Sequence, residues 1–271
     1  MAEASTFLTV QRYAVVTGAN KGIGFGICRL LSANGVTVVL TSRDEKKGLE
    51  AVCRLKEELP QGSATVSGEV IFHQLDVTNS ASIDSLIEFI RARFGKLDIL
   101  VNNAGVSGHA IDANAFIRAV ERMKSILQLS DSARIVNLSS SLALFKNLGG
   151  KPTTDALGDM ETLTRDGIDA ILKEFLEDFQ MGQLEAKGWR GNWTAYSISK
   201  AALNAYARLL AKELPSFLVN CVCPGFIKTD MTFGTGLWSP LEGAESPVFL
   251  ALLPQTGPSG LFFSGKEVVP F

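Results

Sequence analysis

Residues 17–24 read Thr-Gly-Ala-Asn-Lys-Gly-Ile-Gly, and this stretch decides the fold of the chain. It follows a β-branched apolar run, Arg12–Thr17, and opens a segment, Ile23–Asn34, whose apolar side chains recur at helical spacing. A glycine-rich turn between a strand and a helix lets a phosphate approach the backbone, where the N–H groups and positive dipole end of the helix attract it. The stretch therefore predicts the first βα unit of a dinucleotide-binding fold.

The segments that follow continue this alternation of strand and helix. The predicted strands are the apolar runs Val36–Thr41, Val70–Leu75, Leu97–Val101, Arg134–Leu138 and Leu218–Val222. The predicted helices are Asp44–Leu59, Ser80–Phe94 and Ala195–Leu214. This pattern predicts an α/β Rossmann fold, a doubly wound parallel sheet in three α/β/α layers. Ligands of such sheets bind beyond the carboxyl ends of the strands.

Length and composition indicate one globular domain. The chain has 271 residues, of which 46% are hydrophobic and 20% are charged, so it can bury a core without disulfides or metals. We expect residues 1–11 to form a flexible N-terminus and residues 12–271 to form a single domain. Residues 147–192 interrupt the alternation and contain one helix-like piece, Ile168–Phe179, so they are interpreted as an insertion over the edge of the sheet.

Charge and cysteine content exclude several classes of partner. The net charge of −2 argues against nucleic acid or an anionic membrane, because both require a basic face. No apolar run approaches the roughly 18 residues of a membrane span. The cysteines form no C-x-x-C pair, so we expect a reduced, cytoplasmic protein without a metal site.

The residues after the second predicted strand bear on cofactor choice. Arg43 lies nearest to the strand end, and Lys21 lies in the glycine-rich turn that faces the same place. An arginine here accommodates the 2′-phosphate of NADP, whereas an acidic residue bonds the ribose 2′-hydroxyl of NAD. The two cations favour NADP(H), and the neighbouring Asp44 keeps NAD open.

A tyrosine and a lysine four residues apart provide candidate acid–base chemistry. Tyr196 and Lys200 share one helix face. An ammonium beside a phenol lowers the phenol pKa and makes the phenol a usable acid or base. Ser139 and Ser140 end the strand Arg134–Leu138 and bring hydroxyl groups to the same edge of the sheet.

Together these motifs resemble the short-chain dehydrogenase/reductase family. In chain order they are G-x-x-x-G-x-G at 18–24, N-N-A-G at 102–105, a serine after the fifth strand, Y-x-x-x-K at 196–200 and P-G-x-x-x-T at 224–229. The stretches 134–141 and 220–225 are further similar to the plant menthone and salutaridine reductases, a group akin to animal carbonyl reductase.

The resemblance implies a role for each matching residue. Ser140 would bond the substrate oxygen, Tyr196 would donate the proton in reduction, and Lys200 would bond the nicotinamide ribose. The implied cofactor contacts, Lys200 apart, are Gly18, Asn20, Lys21, Gly22, Ile23, Gly24, Arg43, Asp76, Val77, Asn102, Ala104, Gly105, Pro224, Gly225 and Thr229. The implied substrate contacts are Trp193, Phe226 and Met231.

The resemblance also implies a reaction. The chain is expected to interconvert a ketone and a secondary alcohol with NADP(H), on a small hydrophobic substrate such as a terpenoid or an alkaloid. Two alternatives remain open: an enone C=C reductase on the same fold, and a cofactor-binding relative without catalytic activity.

One segment departs from the family pattern. Only 28 residues, Val106 to Ala133, precede Arg134, where the family fits two helices and a fourth catalytic residue, an asparagine. One interpretation gives this role to Asn114. The favoured interpretation makes Gly108–Val120 a loop and Glu121–Leu129 the end of the second helix, with a piece missing between them. That piece is either truly deleted from the protein, or it is present in the protein and missing only from its structure.

A second departure predicts the oligomeric state. Ser140 and Tyr196 are 56 positions apart, and the plant reductases and carbonyl reductase share this insertion. In them it covers the helix face that other family members use for dimerisation. We therefore expect a monomer, and size-exclusion chromatography with light scattering should give the mass of one chain. A dimer mass would refute this expectation.

Overall fold

The computed structural model describes residues 11–58, 68–105, 113–144, 155–189 and 194–271, without the side chains of residues 113–116 and 194. Eight strands form one sheet in the order β3-β2-β1-β4-β5-β6-β7-β8, parallel throughout except for the antiparallel β7–β8 pair. The strands are β1 (Tyr13–Val16), β2 (Thr37–Ser42), β3 (Val70–Gln74), β4 (Ile99–Asn102), β5 (Arg134–Leu138), β6 (Leu218–Cys223), β7 (Phe262–Ser264) and β8 (Glu267–Val268).

Helices cover both faces of the sheet, which confirms the predicted three-layer α/β/α fold. In the described ranges they are α1 (Gly22–Ala33), α2 (Glu45–Glu58), α3 (Ser80–Phe94), α4 (Ala113–Leu127), α5 (Arg165–Gln180), α6 (Thr194–Glu213) and α7 (Pro240–Ala251). Apolar side chains of α1, α2 and α7 form one core with the sheet, and those of α3 to α6 form the other. No helix in these ranges is both long and apolar enough to cross a membrane.

The strand order places a cleft at the carboxyl ends of β1 and β4. β1 pairs with β2 on one side and with β4 on the other, so the chain reverses its direction of winding between them. Crevices in open α/β sheets form at such a reversal. β2 is buried along its whole length, as expected for a strand between two helix layers.

Local capping residues account for several helix ends. Asn79 accepts hydrogen bonds from the N–H groups of Ala81 and Ser82 at the start of α3, and Gly95 ends that helix at a φ of 77°. Thr164 caps α5 by accepting a bond from Gly167 N–H at 3.1 Å, which extends this helix three residues before its predicted start.

The interpretation of Gly108–Val120 as a loop is wrong from Ala113 onward. α4 starts at Ala113 and runs unbroken to Leu127. Its apolar residues Val120, Met123 and Leu127 are fully buried, and their helical spacing crosses the boundary at which the loop was expected to end. These buried side chains hold α4 against the core. Residues 106–112 lie outside the described ranges.

A cluster of polar side chains links α4 to α5 and α6. The hydroxyl of Tyr206 on α6 donates to the carboxylate of Glu121 on α4. Arg165 at the start of α5 contacts Glu121 at 2.8 Å and also pairs with Glu213 at the end of α6. α4, which lies in the short segment before β5, and α5, which lies in the insertion, are therefore both bonded to α6.

Candidate active site

Three glycines shape the turn that follows β1. Gly18 and Gly22 have φ values of 62° and 59°, a left-handed conformation that side chains disfavour. A Cβ on Gly24 would lie 2.5 Å from Nδ2 of Asn103, and one on Gly18 would lie 3.0 Å from Cα of Ala104. The turn can therefore be this tight only with glycine at these positions.

Asn103 locks this turn against β4. Its Nδ2 donates to the carbonyl oxygens of Thr17 and Gly18 at 2.8 and 3.0 Å. Thr17 Oγ1 in turn accepts from the backbone N–H groups of Asn103 and Ala104 at 3.0 and 2.9 Å. Sequence reasoning named its neighbours and missed Asn103, although the N-N-A-G motif contains it. The side chain of Asn102 is buried and donates to Asn137 instead.

The N-terminus of α1 is suited to bind an anion. The side chain of its N-cap residue, Lys21, makes no capping bond, because an ammonium cannot accept from an N–H group, and it pairs with Asp230. The turn at Thr229 lies over this end of the helix, with Thr229 Cγ2 3.5 Å from where a Cβ on Gly22 would be. Uncapped N–H groups beside a glycine turn fit the pyrophosphate of a dinucleotide.

The two cations that were expected to bind one phosphate have different surroundings in the structure. Lys21 pairs with Asp230, whereas Arg43 is exposed at the end of β2. Asp44 accepts from Lys47 N–H at 3.0 Å as the cap of α2, and this backbone bond holds the pKa of Asp44 below its usual value. Asp44 is therefore engaged in the protein and is poorly placed to bond a ribose.

The residues expected at the adenine lie at the end of β3. Asp76 accepts from the N–H and hydroxyl of Thr78 at 2.9 and 2.7 Å, and these bonds lower the pKa of Asp76. The charge of Arg43 lowers it further. Val77 is half-buried. Arg43 and Asp76 thus belong to one rim of the cleft.

The structure brings the three predicted catalytic residues together. Ser140 follows β5 by two residues, and its hydroxyl lies close enough to that of Tyr196 on α6 to act against the rise in the pKa of Tyr196. Lys200 lies one helical turn along α6, with Nζ 5.9 Å from the centre of the Tyr196 ring. Lys200 Nζ donates to the carbonyl oxygen of Leu138 at 2.8 Å. Hydroxyl, phenol and ammonium therefore form one row at the carboxyl end of β5.

The electrostatics differ from the expectation of a lowered phenol pKa. Burial raises the pKa of Tyr196, and the bond from Ser140 only partly opposes this. Burial also lowers the pKa of Lys200 to about 8, because the ammonium is directed at a carbonyl oxygen and faces no carboxylate among the described residues. Tyr196 is thus protonated at neutral pH, as a proton donor must be.

Two thiols of β6 lie beneath this row. Cys221 and Cys223 lie close to Lys200, and the hydroxyl of Ser141 donates to Cys223 Sγ at 3.1 Å. Burial raises the pKa of Cys221 to about 12, so its thiol is neutral. The described residues contain no cluster of metal ligands. Sequence reasoning treated these cysteines only as buried strand positions.

A small apolar flap follows β6. Residues 226–238 fold back on themselves, with Leu237 N–H donating to Phe226 O at 2.7 Å and Lys228 N–H to Trp238 O at 2.8 Å. Exposed apolar side chains line the flap: Phe226, Met231, Phe233, Leu237 and Trp238. Met231 reaches toward Gly105, and Trp193, predicted to touch substrate, lies outside the described residues.

Comparison with known proteins shows the family of the chain. The sequence profile of the short chain dehydrogenase family matches residues 12–152 and 185–238. The chain is 49% identical to (+)-neomenthol dehydrogenase of Arabidopsis thaliana, over 96% of this chain and 98% of that one. It is 36% identical to the NADPH carbonyl reductase 1 of Rattus norvegicus, over 95% and 98%. The solved structure of salutaridine reductase from Papaver somniferum matches with a TM-score of 0.86 and 43% identity, over 93% and 99%.

The comparison also bears on the short segment before β5. The alignment with the Arabidopsis relative spans 294 positions, more than the 271 residues of this chain, so at least 23 of them have no counterpart here. The structure covers residues 1–271 without a break in numbering. The shortness of residues 106–133 is a property of the sequence itself, and a deletion at this place stays a prediction.

Replacing Lys200 with Met should stabilise the protein at neutral pH. The pKa of about 8 in the folded protein lies below the 10.5 of an ordinary lysine, so the buried ammonium destabilises the fold below pH 8, and this penalty disappears as pH rises toward 10.5. We expect Lys200→Met to raise the free energy of unfolding by about 1–2 kcal/mol at pH 7, allowing for partial exposure of the side chain, and by less at pH 9.5.

Urea denaturation at the two pH values measures this difference. Lys212→Met, which removes an exposed lysine of the same helix, is the matched control and should change stability by less than about 0.5 kcal/mol. A lower free energy of unfolding for Lys200→Met at pH 7 would show that the buried ammonium does not destabilise the fold.

Proposed function

The chain belongs to the short-chain dehydrogenase/reductase family, and from this premise we propose that it is an NADP(H)-dependent oxidoreductase that interconverts a ketone and a secondary alcohol. The family consists of enzymes that use nicotinamide cofactors. The observation that carries the proposal is the grouping of Ser140 and Tyr196 at the end of β5, with Lys200 Nζ 5.9 Å from the Tyr196 ring and bonded to Leu138 O.

In reduction, the two hydroxyl groups hold and polarise the substrate oxygen. Ser140 and Tyr196 both donate to the carbonyl oxygen, which makes the carbonyl carbon more electrophilic. When bound, the nicotinamide supplies a hydride to that carbon. Tyr196 gives its proton to the developing alkoxide, so the product is a neutral alcohol and Tyr196 is left as a phenolate. The raised pKa of Tyr196 ensures that it holds this proton at neutral pH.

Lys200 supports the phenolate formed in that step. Its ammonium lies 5.9 Å from the ring of Tyr196, close enough to stabilise the negative charge in a buried setting. Because burial brings the pKa of Lys200 to about 8, this lysine gives up and regains a proton readily near neutral pH. It is therefore suited to return a proton to Tyr196 between turnovers.

The binding cleft favours NADP(H) over NAD(H). The glycine turn and the uncapped start of α1 would hold the pyrophosphate, and Lys200 would bond the nicotinamide ribose as in the family. At the adenosine end Asp44 accepts a hydrogen bond as the cap of α2. The exposed guanidinium of Arg43 can bind a 2′-phosphate. A relative whose name specifies NADPH supports the same choice.

The substrate is expected to be small and hydrophobic. The flap that follows β6 presents exposed apolar side chains, including Phe226 and Met231, beside the cleft. Apolar linings with a few directed polar groups are typical of sites for hydrophobic ligands. Relatives named for neomenthol and salutaridine support a terpenoid or an alkaloid.

One observation favours a second candidate, a cofactor-binding protein without turnover. The segment of residues 106–133 is shortened relative to the family pattern, and in the family this segment supplies a fourth catalytic residue. A scaffold that binds the cofactor would retain the glycine turn and lose only the reaction.

Tyr196→Phe should abolish ketone reduction and preserve cofactor binding. The phenyl ring keeps the packing of α6 but has no proton to donate, so we expect kcat to fall by about 10²–10⁴-fold. The assay follows NADPH oxidation with a panel of cyclic terpenoid ketones, and NADPH fluorescence gives the cofactor affinity. Tyr206→Phe is the control, because Tyr206 lies on the same helix and bonds Glu121 away from the cleft.

The outcomes separate the candidates. Near-full ketone turnover by Tyr196→Phe would refute the proposed proton donor. Tight NADPH binding by the unaltered protein with no turnover across the panel would favour the scaffold. With an enone substrate, chiral product analysis distinguishes an allylic alcohol, expected here, from the saturated ketone that a C=C reductase would release.

A further inference from the structure

A short turn follows Ser140 and contacts its hydroxyl. This serine turn is a single turn of 3₁₀ helix, Ser141–Ala143, with Ser140 as its N-cap residue. The backbone N–H of Leu142 donates to Ser140 Oγ at 3.2 Å, and the N–H of Ala143 donates to the carbonyl oxygen of Ser140 at 2.9 Å. The position of the Ser140 hydroxyl is therefore defined by the turn that comes after it.

The bond from Leu142 restricts the direction of the Ser140 proton. A serine oxygen has one proton and two lone pairs. The Leu142 N–H occupies one lone pair, so the proton is directed to a partner outside the serine turn. Tyr196 lies close enough for Ser140 to act on its pKa, so the hydroxyl is near the place expected for the substrate oxygen. The N–H donor also strengthens the O–H as a donor, because hydrogen bonds in a chain polarise one another.

A side-chain hydrogen bond links the serine turn to β6. The backbone ladder between β5 and β6 extends to Ser139, whose N–H donates to Val222 O at 2.8 Å. Beyond this point the hydroxyl of Ser141 donates to Cys223 Sγ at 3.1 Å. Cys223 is the buried last residue of β6, whereas Ser141 is exposed. The bond therefore joins an exposed turn to a fixed point at the end of the neighbouring strand.

The contribution of this bond is geometric. A thiol sulfur accepts hydrogen bonds only weakly, so the bond adds little to the stability of the fold. Cys223 also lies close to Tyr196 and Lys200. The bond thus lies beside all three catalytic groups, and it is one residue along the chain from Ser140.

We propose that Ser141 and Cys223 are positioning residues that hold the serine turn and so direct the Ser140 hydroxyl at the substrate oxygen. The role requires no contact between either residue and the substrate. The proposal rests on the proposed function, because this positioning affects a rate only if Ser140 donates to a carbonyl oxygen.

Ser141→Ala tests the pair without disturbing the core. Ser141 is exposed, so alanine removes the hydroxyl and opens no cavity. We expect kcat for ketone reduction to fall about five- to tenfold, because small displacements of a reacting group are costly in rate. The KM for NADPH should stay unchanged, and Ser141→Thr, which keeps the hydroxyl, should recover most of the rate. Wild-type kcat in Ser141→Ala would overturn the proposal.

The Ser140→Ala background distinguishes positioning from a general structural effect. If Ser141 acts through Ser140, then Ser141→Ala should cause no further loss of rate once Ser140 is replaced. Single-turnover rates at saturating NADPH keep this slow variant measurable. An equal loss in both backgrounds would show that Ser141 acts by another route, which contradicts the proposal.

Cys223→Ala tests the other end of the bond. It should lower kcat, and Ser141→Ala should add no further loss to it, since both changes remove the same contact. Cys223→Ser, which keeps an acceptor, should recover part of the rate. Cys28→Ala is the control and should leave kcat unchanged, because Cys28 is a buried thiol in the core on the other face of the sheet. Multiplicative losses in the double variant would refute the shared role.

Crystal structures test the geometry without activity. The unaltered protein should show Ser140 Oγ within hydrogen-bond distance of Leu142 N, and Ser141→Ala should show a displaced turn or another rotamer of Ser140. An unchanged turn and rotamer in Ser141→Ala would refute the inference. This readout needs no substrate, so failure of the proposed reaction, tested with Tyr196→Phe, is distinguishable from failure of the positioning pair.

Discussion

The hydrogen bond from Lys200 Nζ to the carbonyl oxygen of Leu138 links the catalytic helix to the sheet at the candidate active site. It joins α6 to the carboxyl end of β5 at 2.8 Å and so sets Tyr196 opposite Ser140. The bond draws a charged group into the protein, and burial then lowers the pKa of Lys200 to about 8. A charge that is unfavourable for the fold is thus retained where the chemistry needs it, as is common at functional sites.

A second constraint brings the cofactor turn to the same cleft. Asn103 fastens the glycine turn to the end of β4, and Asn102, its neighbour, donates to Asn137 on β5. The adjoining strand ends therefore present a nucleotide-binding turn and a proton donor side by side. Hydride donor and carbonyl can meet there only because the parallel order β1-β4-β5-β6 places these ends in one row.

Local patterns in the sequence predicted most of the fold and the catalytic row. The predicted bounds of α3 and β5 are those observed, since strong periodicity and the caps Asn79 and Gly95 define them. No helix or strand was predicted beyond Val222, because α7 contains Pro247 and Gly243, which weaken a helical pattern, and β7 is only three residues long. Most contacts between residues that are far apart in the sequence were not predicted. The pairing of Lys21 with Asp230 and the bond from Ser141 to Cys223 depend on packing that no local spacing encodes.

The central claim is that Ser140, Tyr196 and Lys200 direct hydride to a carbonyl carbon. The most direct measurement follows deuterium from NADPH labelled separately on each face of nicotinamide C4 into the product of a cyclic terpenoid ketone. We expect deuterium at the carbinol carbon, from one labelled face alone, in a single configuration of the alcohol. Product without deuterium at that carbon, or deuterium at the β-carbon of an enone, would contradict it.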